Sequence, residues 1–385
     1  MKFVHIADVH LGGWKQQPLQ DLNFISFQES IKRCILEKVD FVLIAGDLFD
    51  TPYPSIEILK ETFAEFKKLK DSEIPCFIIA GSHDYSVSGK TFLDVIEKAG
   101  FCKNVTDFEE NNGKIILKPT IYKDVALYGY PGKKTGLEVK ELKNIILENT
   151  NENLFKILML HTTLDRVVGN LPIDYVNSDN LPKADYYALG HIHVLYNKDR
   201  FVYPGPLFPN NFKELEELSC GHFIITDTEN PDGVERIKIP LKDVLSLSFN
   251  LKDAVTATEE VIFELSKSNL EDKIVLLKFV GELENSKRSN INFKLIEDFV
   301  MKKGAYFVLK NTHALKEKDE EIEIEVKGED IGFETMKVFL EKNNTKFKDL
   351  AEILINSLSA EKQEGETKDN FTKRIFEESK KILKF

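Results

Sequence analysis

Cysteine is scarce in this sequence. Its four cysteines (Cys34, Cys76, Cys102 and Cys220) lie far apart and form no Cys-x-x-Cys pair. That spacing argues against a zinc–thiolate site or a disulfide framework and for free thiols in a reducing compartment. No apolar run approaches the roughly 20 residues of a membrane span. The opening Met1-Lys-Phe-Val-His-Ile-Ala-Asp8 enters a strand pattern at once and does not resemble a signal peptide. A soluble, cytoplasmic protein with no membrane partner is the expectation. Positive charge is also in deficit: 52 Lys+Arg against 64 Asp+Glu give a formal net charge of −12. A nucleic-acid reading must therefore rest on local basic patches or on metal ions. Neither internal repeats nor low-complexity linkers are found.

What is present is a core. Hydrophobic residues make up 42% and charged residues 30% of 385 positions, enough for two domains or for one domain with appendages. Lys2 to Ala7 reads as a short strand, residues 23 to 38 as a helix (Phe24, Phe27, Ile31, Ile35), and Phe41-Val-Leu-Ile-Ala45 as a buried parallel strand. A second helix follows over about 55 to 70, then the apolar strand Cys76-Phe-Ile-Ile-Ala80. This β-α-β-α-β rhythm predicts a layered α/β fold with right-handed crossovers. Strands are also expected at Ile115 to Leu117, Val125 to Tyr130, Phe155 to His161 and Ala184 to Leu189, with a helix over 138 to 149. Short strands near 201–204, 221–227 and 234–239 would close a first domain near residue 240.

The polar residues cluster where those strands end. Asp8 and His10 follow the first strand, Asp47 the second, Ser82, His83 and Asp84 the third, and His161 closes a later one. The run Tyr187-Ala-Leu-Gly-His-Ile-His193 puts His191 and His193 on one side of a strand end, because strand side chains repeat every two residues. Open α/β sheets carry their sites beyond the carboxyl ends of strands. Five of the eight histidines (His10, His83, His161, His191 and His193) fall in this set. His5 and His222 lie inside strands and read as core or surface residues, and His313 reads as solvated. Imidazoles and carboxylates together suit Mn²⁺, Fe²⁺ or Zn²⁺ better than Mg²⁺. Two such ions would neutralise a phosphate diester and activate a water, with Asp47 as the natural shared ligand.

The order Asp-x-His, Gly-Asp, Gly-x-His-Asp, His, Gly-His-x-His resembles the calcineurin-like metallophosphoesterases. Phe3-Val-His-Ile-Ala-Asp-Val-His-Leu-Gly12, Ile44-Ala-Gly-Asp-Leu-Phe49, Leu158-Met-Leu-His161, Tyr186-Tyr-Ala-Leu-Gly-His-Ile-His193 and Val202-Tyr-Pro-Gly-Pro206 narrow the match. They resemble the double-strand-break repair nucleases of the SbcD/Mre-eleven family, specifically over 1–240 and only in layout beyond. The resemblance implies a layered calcineurin-like metallophosphoesterase domain with a small α+β cap and a helical C-terminal extension. It implies a DNA exonuclease and endonuclease with two Mn²⁺ (Fe²⁺, Zn²⁺ or Mg²⁺ being the other candidates). Asp8, His10, Asp47 and His193 would hold one ion; Asp47, His161, His191 and Ser82 would hold the other. His83, positioned by Asp84, would face the scissile phosphate. A homodimer, and an SbcC/Rad-fifty-like ABC ATPase docked on the C-terminal helices, are the partners implied besides DNA. Two departures stand out. Ser82 replaces the family's asparagine, a shorter and poorer ligand, and Asp50 stands where the family often has histidine, next to the phosphate's place.

These readings divide the chain into a nuclease domain (1–240), a DNA-binding cap (241–328) and a helical ATPase-binding region (329–385). The stretch from Phe263 to Lys310 holds nine Lys/Arg against seven Asp/Glu, mildly basic in an acidic protein. Lys287-Arg288 and Lys302-Lys303 could touch phosphates or be solvated faces. Trp14 and Lys15 could stack on and pair with nucleic acid, or the Trp could anchor its loop. A charged strand-like stretch (317–327) leads to two apolar stripes, Phe347, Leu350, Leu354, Leu358 and Phe371, Ile375, Ile382, Leu383, which could serve docking or the protein's own core. Two other functions remain open: a small-molecule phosphodiesterase on the same core, and a weakly active or non-catalytic repair scaffold.

Overall fold

The computed structural model describes residues 1–86, 89, 91–169, 173–284, 286–318, 353 and 368–383. The chain divides into one unit over Met1–Glu317 and a second over Lys318–Phe385.

The first unit is built on two six-stranded sheets laid face to face. One runs, in spatial order, Glu235–Ile239, Gly221–Asp227, Lys2–Ile6, Phe41–Ala45, Cys76–Ile79, Lys103–Asn104. The other runs Tyr196–Lys198, Phe201–Tyr203, Tyr186–Gly190, Phe155–His161, Val125–Tyr130, Thr120–Tyr122. The central strands pair in parallel, as crossover connections demand. The continuous apolar runs follow from burial on both faces. In Phe41–Ala45, Phe41 and Leu43 enter the layer between the sheets with Phe3, Met159 and Ala188. Val42 and Ile44 turn the other way, towards Phe27, Ile31 and Phe66 on the covering helices. Each such side chain contributes about 1.5–3 kcal/mol by leaving water.

Three elements differ from expectation. The first helix spans Gln17–Leu36, starting ahead of residue 23, because Pro18 sits in its first turn, where a fixed φ and a missing N–H cost nothing. The helix expected over 138–149 is only Glu138–Glu141 plus a 3-10 turn. The β-branched pair Ile145–Ile146 then forms a strand against Lys114–Leu117. A helix at Phe212–Leu218, capped by Asn211, was not foreseen.

Past residue 240 a parallel three-stranded sheet (Val244–Asn250, Ile274–Leu283, Phe307–Glu317) carries the helices Ala254–Ser266 and Phe293–Lys302. One sheet face, with Val275, Leu277 and Phe279, is sealed by those helices. The other, with Ile274 and Leu276, joins Trp14, Leu19, Leu22, Phe208 and Leu215 of the two-sheet body. The second unit is described by the helix Lys368–Leu383, on which Phe371, Ile375 and Ile382 are half-buried and Leu383 exposed. The stripe Phe347 to Leu358 lies outside the described residues, as does most of 317–327. Among the described residues no helix is long and apolar enough to cross a membrane.

Candidate metal centre

The carboxyl ends of five strands, Lys2–Ile6, Phe41–Ala45, Cys76–Ile79, Phe155–His161 and Tyr186–Gly190, meet at one edge of the sandwich. The register that pairs His161 with Gly190 sets His161 beside His191, their rings 5.0 Å apart. The backbone there is tightly turned: Asp8, His10, Asp47 and His191 have φ of 52°, 47°, 51° and 101°. Left-handed backbone in non-glycine residues is unusual, and its strain collects at functional sites. The glycines beside these residues are required by space. A Cβ on Gly46 (φ +89°) would lie 2.2 Å from His161 Nδ1, and one on Gly190 would lie 2.3 Å from Ala45 O.

Three histidines are held in the same way. His10 Nδ1 lies 3.2 Å from Asp50 Oδ1, His193 Nδ1 2.9 Å from Glu214 Oε1, and His161 Nδ1 2.9 Å from the Ala45 carbonyl. Each Nδ1–H donates to an acceptor outside the site, so each Nε2 lone pair is left pointing inward. There, His10 Nε2 and His193 Nε2 approach to 3.1 Å. His161 Nε2 is 3.1 Å from Asp47 Oδ2 and His10 Nε2 3.7 Å from the same oxygen. Asp47 Oδ1 is occupied by the His83 N–H at 2.8 Å, so Asp47 faces both sides of the site with one oxygen. Asp8 Oδ1 accepts the His191 N–H at 2.8 Å and lies 3.9 Å from His193 Nε2.

The charges respond to this crowding. Burial opposes ionisation of Asp47, but His161, His10 and His83 outweigh it and hold its carboxyl far below the usual carboxylate range. Burial likewise disfavours the His161 imidazolium, yet Asp47 and Asp8 raise it to about 10. His193, also resisted by burial, is raised to about 9 by Glu214 and Asp8. His191 goes the other way, to about 3, through burial and the neighbouring His161.

This arrangement fits cations better than protons. His161 Nε2 is buried, has no hydrogen-bond partner, and confronts a carboxylate oxygen. His10 and His193 bring two ring nitrogens together where at most one shared proton could sit. Nitrogens bound at about 2.0–2.1 Å to one ion are about 3.0–3.4 Å apart when adjacent, which brackets the separation found. Ligand atoms of Asp8, His10 and His193, and of Asp8, Asp47 and His161, form groups within 4.8 Å.

The profile of the calcineurin-like phosphoesterases matches residues 1–195, just over half of the chain. The chain is also similar to the DNA double-strand break repair protein Mre11 of Methanocaldococcus jannaschii, 30% identical over 277 residues, 68% of this chain and 72% of that one. The chain belongs to the Mre11 family of calcineurin-like phosphoesterases. Similar too are the Mre11 proteins of Methanosarcina mazei (28% identity, 82% of this chain and 50% of that one) and Sulfurisphaera tokodaii (33%, 50% and 49%). This chain thus spans about half the length of those two relatives. Calcineurin-like phosphoesterases use a dinuclear metal centre, and the ligand groups described above are candidates for one.

The other residues read from sequence take varied places around the Mre11-type centre. His83 is half exposed, its ring 4.8 Å from that of His10, with Nδ1 donating to the Asp50 carbonyl at 2.9 Å. Asp84 does not hold His83. It is buried and accepts the backbone N–H groups of Leu48, Phe49 and Gly81, tying two ligand loops together. Burial and the Asp47 charge push its carboxyl up to about 7. Ser82 is half-buried beside the site. Trp14 does not offer a stacking face: it is 7% exposed and donates its indole N–H to Pro209 O at 2.9 Å. It anchors the seam to the cap instead. Lys15, Lys287, Arg288, Lys302 and Lys303 are exposed, with Arg288 3.7 Å from Glu317. His5 and His222 are buried and His313 is exposed.

The anchoring roles of two residues escaped sequence reading. Asp50, next to the phosphate's place, would repel it unless it turned away or paired with a cation; it pairs with His10, whose hydrogen bond and charge hold its carboxyl low. One ground for reading the chain as an inactive scaffold thereby disappears. Glu214 had a local signal, the Asn211-x-x-Glu214 pattern of a capping box, though that pattern does not point to His193.

Proposed function

We propose that the chain is a metal-dependent DNA nuclease that processes ends in double-strand-break repair, acting as exonuclease and single-strand endonuclease. The observation that carries this is the convergence of three outward-anchored imidazoles on the Asp8 and Asp47 carboxylates. Asp8, His10, Asp47 and His193 would hold one ion; Asp47, His161, His191 and Ser82 the other. Mn²⁺ suits these mixed nitrogen and oxygen donors, with Fe²⁺, Zn²⁺ and Mg²⁺ as alternatives. Two bound divalent ions neutralise the phosphate and supply a nucleophile at neutral pH.

The chain's own residues supply position and protons. Asp50, Glu214 and the Ala45 carbonyl fix the ring tautomers. His83, tethered through Nδ1 at the mouth of the site, has Nε2 free to exchange a proton with the leaving oxygen. Residues 1–240 form the nuclease, 241–328 the DNA-binding cap and 329–385 the region that docks an SbcC/Rad-fifty-like ATPase. The chain works as a homodimer. Lys15, Lys287, Arg288, Lys302 and Lys303 meet the DNA backbone.

The test is cleavage of end-labelled duplexes with Mn²⁺, with and without the partner ATPase and ATP, beside hydrolysis of bis-p-nitrophenyl phosphate. Nuclease activity that is lost with EDTA is expected. Hydrolysis of the small ester with intact DNA under all conditions would reject the DNA reading in favour of a small-molecule phosphodiesterase. Deleting 331–385 should abolish capture by the ATPase, and survival of binding would move the docking site elsewhere.

A further inference from the structure

The helix Phe212–Leu218 stands between the cap sheet and the metal centre, and three consecutive residues on it face three ways. Glu214 Oε1 accepts the His193 Nδ1–H at 2.9 Å. Leu215, with no exposed surface, shares an apolar cluster with Trp14 and with Ile274 and Leu276 of the cap. Glu216 accepts from Ser246 Oγ at 2.9 Å and pairs with Lys278 Nζ at 3.2 Å, on neighbouring cap strands. A seven-residue helix has little stability of its own. Its position is set by what it packs on, and much of that is the cap.

We propose that this helix is a strut through which the cap fixes the orientation of His193, with Glu214 as the positioning residue. Partners behind a metal-ligating imidazole set its tautomer and its aim, so a loosened strut would let Nε2 wander from its ion. Displacement of the cap, for example by DNA on its outer surface, would then be felt as a change in metal affinity. The inference rests on the metal-nuclease reading for its consequence. Its measurement needs no DNA.

Mn²⁺ titrations of the full chain, by calorimetry and by the electron paramagnetic resonance of the free ion, test it. In Glu214→Ala one of two Mn²⁺ ions should bind about 10–100-fold more weakly while the other is unchanged. Glu214→Gln should recover most of that loss, since its carbonyl can still accept the Nδ1–H. Leu276→Ala, on the cap and outside the proposed ligand set, should weaken the same ion several-fold as well as lower Tm. Glu216→Ala, which leaves no cavity, should act in the same direction by about twofold and keeps the test open if Leu276→Ala fails to fold. A folded Leu276→Ala and a Glu216→Ala that both bind Mn²⁺ like the wild type would overturn the strut, whatever their Tm. So would an unaltered Glu214→Ala. A wild-type protein that takes up two Mn²⁺ but cleaves no DNA would sink the nuclease reading and leave the strut intact.

Discussion

The two halves of the proposed metal centre are supported by different chemistry. On the side of His10 and His193, both rings are backed by carboxylates, Asp50 and Glu214. On the other side, His161 is backed by the neutral Ala45 carbonyl, and the proposed neighbouring ligand, Ser82, has only a hydroxyl to offer. A carboxylate behind an imidazole makes it a better donor than a carbonyl does, and fixes it more firmly. The first half-site should therefore hold its ion tightly and the second loosely. The difference teaches that counting ligands is not enough. Two sites with similar first neighbours can differ through the atoms behind them.

The largest effect should come from the residue common to both halves. Asp47→Ala removes the one oxygen facing His161 and His10, leaving both rings without their shared counter-charge. Activity should fall by about a thousandfold or more, the several kcal/mol that metal chemistry supplies, and Mn²⁺ uptake should drop from two equivalents. If Asp47→Ala still binds two ions, the halves do not share this carboxylate. Next is Asp50→Ala, which strips the anchor from His10 and should weaken the tighter ion by about 10–100-fold. Should only the looser ion respond, the ranking of the halves is reversed.

The sharpest test of the weaker half is Ser82→Asn. A longer side chain with an amide oxygen should tighten the second Mn²⁺ by about tenfold and raise the rate at limiting Mn²⁺. Unchanged affinity and rate would mean that the serine is not the limitation.

Much of this was legible in the sequence, for a definite reason. An apolar run that ends in Gly-Asp or Gly-His-x-His names both a strand and what lies past its end, so Asp47, His191 and His193 could be found by local pattern alone. Anchors cannot be found that way. Asp50 reaches His10 across 40 residues and Glu214 reaches His193 across 21. Asp50 read as a charge next to the phosphate and Glu214 as a capping residue until the strands were assembled. Trp14 was open to misreading because what covers it, the cap face with Ile274 and Leu276, lies more than 250 positions along the chain. The alternation within Ile274–Leu283 shows that the strand has two apolar faces, but not what the second one covers.

The smallest expected effect separates the protons from the metals. Without metal, His161 and His193 are raised to about 10 and about 9, above the roughly 6.5 of an unfolded histidine. A group raised on folding gives stability that is fully present below its unfolded value and lost as pH climbs through its folded one. The EDTA-treated protein should therefore lose thermal stability between about pH 7 and pH 10. Divalent ions displace those same protons, and their binding strengthens as pH rises. The gain in Tm on adding Mn²⁺ should accordingly widen from pH 7 to pH 9, by a few degrees. Thermal unfolding with EDTA and with saturating Mn²⁺ at the two values measures it. Parallel pH profiles would mean that the raised histidines and the metal sites are not the same groups, and the two-halves picture would lose its electrostatic basis.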